Sequence, residues 1–294
     1  MTQSVSQILA DGTAKLQAAG ISAAKSDAQR LLASVLSDEQ QITFVANDRV
    51  GDQQTRKYEA YIDRRVKRQP VSQIVGKRWF FDHEFEINSF VLDPRPESEI
   101  LVTEVLSKEP STILDLGSGS GCLLLSILSQ LCHSTGLGID RCPHTLRVAR
   151  RNAQRLGCGR RAAFRLGNWL EGIDQKFACI VTNPPYIPDG DIKHLAPEIT
   201  QWEPRHALTD GGDGLGAFRE IARHAADCLL PEGFLVTEIG PNQLHPVADI
   251  FRENGLLLDD VIFDLDCRPR ALSFQPNRAV AKSAPSCLKG ITWP

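Results

Sequence analysis

Asn183-Pro184-Pro185-Tyr186 is the stretch of this 294-residue chain with the clearest capacity for chemistry. It follows a buried-strand pattern, Phe177-Ala-Cys-Ile-Val-Thr182, and opens a long polar loop. A loop so placed puts the Asn side chain at the carboxyl end of a sheet, where ligands bind in open α/β folds. The Asn183 carboxamide and the Pro184 carbonyl offer two acceptors to a planar NH₂ group, and the Tyr186 ring offers a face for stacking. These residues suit an amide or an exocyclic amine. A proline-rich turn capped by its own Asn would use the same four residues, so the surrounding pattern has to decide.

A second constellation is Thr112-Ile-Leu-Asp-Leu-Gly-Ser-Gly-Ser-Gly121, a strand ending in a glycine loop that opens a helix. Gly117, Gly119 and Gly121 permit positive φ and a close approach of backbone to ligand. The third Gly comes one residue early for the dinucleotide pattern and no Lys follows as in a P-loop, so a pyrophosphate is not the expected guest. The next strand pattern ends in Gly138-Ile-Asp140, whose acid could accept both hydroxyls of a ribose or cap the helix ahead of Pro143. A further strand end, Leu166-Gly-Asn-Trp-Leu170, brings Asn168 for an adenine edge and Trp169 to pack on its ring, unless Trp169 is core.

The elements that must position these residues read as an alternation. Apolar positions Val5, Ile8, Leu9, Leu16, then Ala28, Leu31, Leu32, Val35, then Tyr58, Tyr61, Ile62, Val66 recur at helical spacing and predict a bundle over residues 1–70. Arg56, Lys57, Arg64, Arg65, Lys67 and Arg68 on its third helix read as a solvated face or, alternatively, a docking surface. Aromatic and β-branched residues over 71–92 predict a β-hairpin linker. A second domain over 93–276 opens with a helix through about Leu106, its first turn holding Pro96. Strands at 112–116, 136–139, 162–166 and 178–181 then alternate with helices from Cys122 and Pro143. A helix near 215–229, a strand at 234–238, a helix at 243–254 and two runs at 256–265 and 271–274 follow, the last pair close enough to turn back antiparallel. Strands spaced by helices imply an α/β fold with a mainly parallel sheet. Residues 277–294 read as a loose tail.

Composition narrows the setting. At 42% hydrophobic residues the chain can bury two cores. Eight Cys are scattered singly, without a C-x-x-C pair or a His at ligand spacing, so packing thiols and no metal are expected. A net charge of −3 gives no overall attraction to a polyanion, and stable nucleic-acid binding is not expected. No apolar run reaches membrane length and Met1-Thr-Gln-Ser-Val-Ser lacks targeting features, so the expected place is the cytoplasm, with no membrane partner. His194 and His206 near the polar loop read as surface or capping residues.

In this order, D-x-G-x-G-x-G from Asp115, an acid after the second strand, and N-P-P-Y after the fourth resemble a class I (Rossmann-like) S-adenosylmethionine-dependent methyltransferase of the amino-methylating branch. Val91-Leu-Asp-Pro-Arg-Pro-Glu-Ser-Glu99 resembles the P-R-P-E-T-E segment, and Trp202-Glu-Pro-Arg-His-Ala-Leu208 the F-E-P-x-x-A-L segment, of the PrmC/HemK family of protein-(glutamine-N5) methyltransferases acting on peptide-chain release factors. The resemblance runs from about residue 5 to 275. Ser98 stands where that family usually has Thr, Asn168 where an acid is common, and Trp202 where Phe is common.

The resemblance implies S-adenosyl-L-methionine as cofactor, held by Asp115, Gly117, Ser118, Gly119, Gly121, Asp140, Asn168 and Trp169 with Asn183 beside it. It implies methylation of the glutamine in the Gly-Gly-Gln motif of release factors. Asn183 and the Pro184 carbonyl would receive the glutamine N–H groups, and Pro185 and Tyr186 would complete the catalytic tetrad. Arg95, Pro96, Glu97, Glu203 and Pro204 would line the substrate pocket. The protein is expected to act as a monomer whose N-terminal bundle docks the substrate. Two other substrates fit the same tetrad: a ribosomal-protein glutamine, and a flipped adenine N6, although a target-reading domain is missing for the latter.

Overall fold

The apolar positions at helical spacing fall on three helices, α1 (Val5–Ala18), α2 (Ala24–Leu36) and α3 (Asp52–Val66), in the computed structural model, which describes residues 3–36 and 48–277. Ser4 caps α1, its Oγ accepting from the Gln7 N–H at 3.3 Å. Leu16, Ala28 and Leu31 are fully buried with Tyr58 and Ile62, while Val66 stays at the surface.

The interval expected to be one hairpin divides. Residues 71–75 form a short helix, α4 (Val71–Val75), and only β1 (Lys77–Phe80) and β2 (His83–Glu86) pair as the hairpin. Pro70, with φ −58°, starts the helix and Gly76, with φ 80°, ends it. Ile74 then buries against the bundle core, so tertiary packing overrides its strand preference.

The basic face of α3 is also less solvated than its sequence implies. Arg65 is buried and pairs with Asp27 at 2.8 Å and Glu198 at 2.9 Å. Arg64 donates to the Ile74 and Gln73 carbonyls, and Arg68 reaches Glu198 and the Ala19 and Gly20 carbonyls. These three arginines tie helix to helix; Arg56 and Lys67 remain exposed.

The remaining elements are α5 (Glu99–Lys108), β3 (Thr112–Leu116), α6 (Cys122–Gln130), β4 (Thr135–Asp140), α7 (Pro143–Arg155), β5 (Ala162–Leu166), β6 (Phe177–Thr182), α8 (Pro197–Trp202), α9 (Gly216–Ala225), β7 (Leu229–Glu238), α10 (Leu244–Glu253), β8 (Leu256–Phe263) and β9 (Pro269–Pro276). The helix expected near 215–229 stops at Ala225, and β7 starts five residues before the strand expected at 234. Pro231 cannot donate within a helix, and Phe177 N bonds the Cys228 carbonyl at 2.8 Å, drawing the chain into the sheet. The chain divides into two compact units, residues 1–94 with 190–208, and residues 95–189 with 209–294. The tail positions 278–294 lie outside the described residues.

Among the described residues the larger sheet has seven strands in the order β5-β4-β3-β6-β7-β9-β8. β3, β4, β5, β6 and β7 run parallel, and β9 lies antiparallel between β7 and β8, as the closeness of the last two runs implied. Leu114, Ile180 and Leu235 in the sheet, with Phe218 and Ile221 on α9, are fully buried, and Phe251 stacks against Phe274 at 4.5 Å. The chain order runs outward from β3 to β5 on one side and through β6 to β7 on the other, so the direction of winding reverses between β3 and β6. A crevice opens at such a reversal, at the carboxyl ends of the strands. Thr182 Oγ1 closes the pair there, donating to the Leu116 carbonyl at 2.8 Å. No described helix is long and apolar enough to cross a membrane.

Candidate active site

Both predicted constellations lie at this reversal, the glycine loop after β3 and the Asn-Pro-Pro-Tyr loop after β6, with Asp140 closing β4 beside them. The glycine loop is pinned to the end of β4: the Gly117 and Ser118 N–H groups both donate to the Ile139 carbonyl, at 2.9 and 3.0 Å. Gly119 N donates to Asp140 Oδ2 at 3.1 Å and Cys142 N to Asp140 Oδ1 at 2.9 Å. Asp140 therefore braces the loop and the start of α7 together. Gly117, Gly119 and Gly121 have φ of 71°, 56° and 80°, the left-handed region open to Gly. A Cβ on Gly117 would stand 3.5 Å from the Trp169 ring, and one on Gly121 3.2 Å from Phe164. Trp169 is half-buried, packed on the core and turned beside Gly117, so it serves both readings; Asn168 is exposed.

Asp115 is fully buried near the end of β3 and neither carboxylate oxygen has a hydrogen-bond partner among the described residues. Burial first, and then the charge of Asp140, push its carboxyl up to about 8. Two acids at adjacent strand ends, one of them without a cation, favour a cationic ligand over an anionic one. With a bare backbone loop and an indole face beside it, they fit S-adenosylmethionine, whose sulfonium and ammonium are positive and whose adenosine is flat.

On the β6 side, Asn183 and Tyr186 share one anchor. Asn183 Nδ2 donates to Ser98 Oγ at 2.9 Å and to Glu238 Oε2 at 2.8 Å, and Tyr186 Oη donates to Glu238 Oε1 at 3.0 Å. Ser98 Oγ donates to the same Oε2 at 2.5 Å. Burial raises the Tyr186 phenol and the Glu238 carboxyl above their ordinary values, and the Glu238 charge raises the phenol further. Gln243 Nε2 donates to the Tyr186 carbonyl at 2.9 Å, holding the loop from below. Pro184 is buried, whereas Pro185 is half-buried.

Of the predicted pocket residues, Arg95 is half-buried, and Pro96 and Glu97 are exposed in the short 3-10 turn that leads into α5. Glu203 and Pro204 belong to the other unit, where Glu203 is buried and its Oε2 accepts from Asp93 N at 3.2 Å. His194 and His206 are exposed there. Glu238 and Gln243 were not anticipated from sequence. An acid ending the apolar run Phe234-Leu-Val-Thr, with no cation beside it in the chain, is the signal that marks Glu238. Gln243 leaves no comparable signal.

Residues 7–76 match the PrmC N-terminal domain, and residues 93–215 match the methyltransferase small domain. The chain is similar to the release factor glutamine methyltransferase of Cereibacter sphaeroides, 41% identical over 260 residues that cover 88% of this chain and 94% of the relative. It is likewise similar to that of Rhodospirillum rubrum, 40% identical over 270 residues (90% and 83% covered), and that of Caulobacter vibrioides, 42% over 217 residues (72% and 75%). Fold and site together define a class I methyltransferase that uses S-adenosyl-L-methionine. Within that class the chain belongs to the PrmC family, the release factor glutamine methyltransferases.

Proposed function

We infer that the protein transfers the methyl group of S-adenosylmethionine to the side-chain amide nitrogen of a release-factor glutamine, the one in the Gly-Gly-Gln motif. The observation that carries this reading is the Asn183-Pro184 pair at the rim beside the glycine loop, in a chain of this family. The kinship with release factor enzymes favours this substrate over a ribosomal protein or an adenine.

The cofactor supplies an electrophilic methyl on a positively charged sulfur. Asp115, the Gly117–Gly121 loop with Ser118, Asp140, Asn168 and Trp169 would hold it. An amide nitrogen is a poor nucleophile because its lone pair is shared with the carbonyl. Asn183 Oδ1 and the Pro184 carbonyl, drawing on the two N–H bonds, orient that nitrogen and return density to it. Orientation of this kind is worth about 7–11 kcal/mol in well-aligned intramolecular reactions, so no dedicated base is required. Tyr186 covers the amide plane, its hydroxyl fixed on Glu238, and Pro185 keeps the turn rigid and dry. The nitrogen becomes acidic once methylated, and water takes its proton. Arg95, Pro96 and Glu97 line the path of the substrate, and the N-terminal unit docks the factor. The protein works as a cytoplasmic monomer and holds no nucleic acid stably.

Incubation with S-adenosylmethionine and a purified release factor, followed by peptide mass analysis, tests this reading. A methyl-sized gain on the Gly-Gly-Gln glutamine is expected; an unmodified glutamine, or a methyl on another residue, would contradict it.

A further inference from the structure

Glu238 ends β7 with 1% of its surface exposed, and three donors converge on its carboxylate: Ser98 Oγ and Asn183 Nδ2 on Oε2, Tyr186 Oη on Oε1. Asn183 Nδ2 carries two hydrogens, and both are spent inward, one on Glu238 and one on Ser98 Oγ. A carboxamide turned by 180° keeps its shape but exchanges acceptor for donor. A carboxylate can only accept, so it admits one of the two orientations, the one with Nδ2 inward and Oδ1 outward. Drawing on the N–H bonds also polarises the amide and strengthens Oδ1 as an acceptor.

We propose that Glu238 is a positioning residue for methyl transfer, fixing the Asn183 carboxamide with its oxygen toward the substrate so that the site selects a side chain presenting NH₂ over one presenting an acceptor. Ser98 shares the task. Its hydroxyl receives the second Asn183 hydrogen and passes its own to Glu238, closing a three-membered ring of hydrogen bonds that turns the amide as a unit. Tyr186 hangs from the other oxygen of the same carboxylate, so one buried group sets both the in-plane acceptor and the stacking face. This assignment rests on the reading that Asn183 receives the substrate amide.

The test compares the full-length wild type with Glu238→Gln, which keeps the size but places an NH₂ among the donors. Three quantities are measured: affinity for S-adenosylmethionine by calorimetry, turnover on a release factor, and binding of the unmodified factor against one whose reactive glutamine is changed to glutamate. Expected are a turnover loss of at least about tenfold, cofactor affinity within about twofold, and a preference for glutamine over glutamate narrowed by about tenfold, as loss of one charged hydrogen bond implies. A merely structural role would lower stability and cofactor affinity together and leave the glutamine-to-glutamate preference intact; that result, or full turnover, overturns the assignment. Ser98→Ala serves if Glu238→Gln fails to fold, with the same pattern at smaller amplitude expected and an unchanged preference overturning the proposal. A wild type unable to methylate the factor would instead overturn the substrate reading, which keeps the two failures apart.

Discussion

Two carboxylates stand near the carboxyl ends of adjacent strands beside the glycine loop, and their surroundings treat them differently. Asp140 is braced by the N–H groups of Gly119 and Cys142, while Asp115 is sealed without a hydrogen bond among the described residues. Burial and the neighbouring charge lift Asp115 from the ordinary 3.8 to about 8. A carboxyl raised in the folded state contributes stability that is full below its unfolded value and is lost as pH rises toward the folded one. The cofactor-free wild type should therefore lose up to about 4 kcal/mol between pH 5 and pH 8 through this group, at about 1.4 kcal/mol for each pH unit. Asp115→Asn should be free of that loss, so its urea midpoint should gain on the wild type as pH rises; a difference that does not change with pH would disprove the account of Asp115. That Asp115, the glycines and Asp140 stand at strand ends and in a tight loop was legible in sequence because such features have a linear signature. Glu238 was not, since its partners Ser98 and Asn183 lie 140 and 55 residues away.

Elements placed by hydrophobic period came out largely as read. The β3–β7 core of the sheet, the crossing helices and the reversed β9 all follow from apolar runs of strand length separated by helical ones. Failures occurred where tertiary context outweighed local preference: Val71–Val75 is helical although β-branched, because Pro70 and Gly76 bracket it and Ile74 reaches the bundle core. The end of α9 was overrun because Cys228 and Leu229 continue its apolar pattern, although Cys228 lies in the turn after the helix and Leu229 starts β7. What joins β3 to β6 at the reversal is ladder pairing plus the Thr182 hydroxyl on the Leu116 carbonyl. Thr182→Val keeps the shape and removes that bond, and should cost about 1 kcal/mol in urea unfolding. No change in stability would mean that the hydroxyl does not tie the two strand ends.

Across the whole molecule, the least legible feature is that residues 190–208 leave the unit that holds the seven-stranded sheet and group with the N-terminal residues. Reading the chain as consecutive domains cannot reveal this, because the ties are non-local: Glu198 on Arg65, the Trp202 carbonyl on Gln73 Nε2, and the Lys67 carbonyl on Trp202 Nε1. The segment that follows the Asn-Pro-Pro-Tyr loop thus groups with the N-terminal unit, while that loop and the glycine loop stay in the other. Under the proposed function Asn183 grips the substrate amide and not the cofactor, which predicts that cofactor binding and methyl transfer are separable. Asn183→Ala puts this to one measurement, cofactor affinity and single-turnover rate on the same sample. Transfer to the glutamine should fall about a hundredfold to a thousandfold, as for loss of one preorganised transition-state contact, with S-adenosylmethionine affinity kept within about twofold. A normal transfer rate in Asn183→Ala would contradict the account.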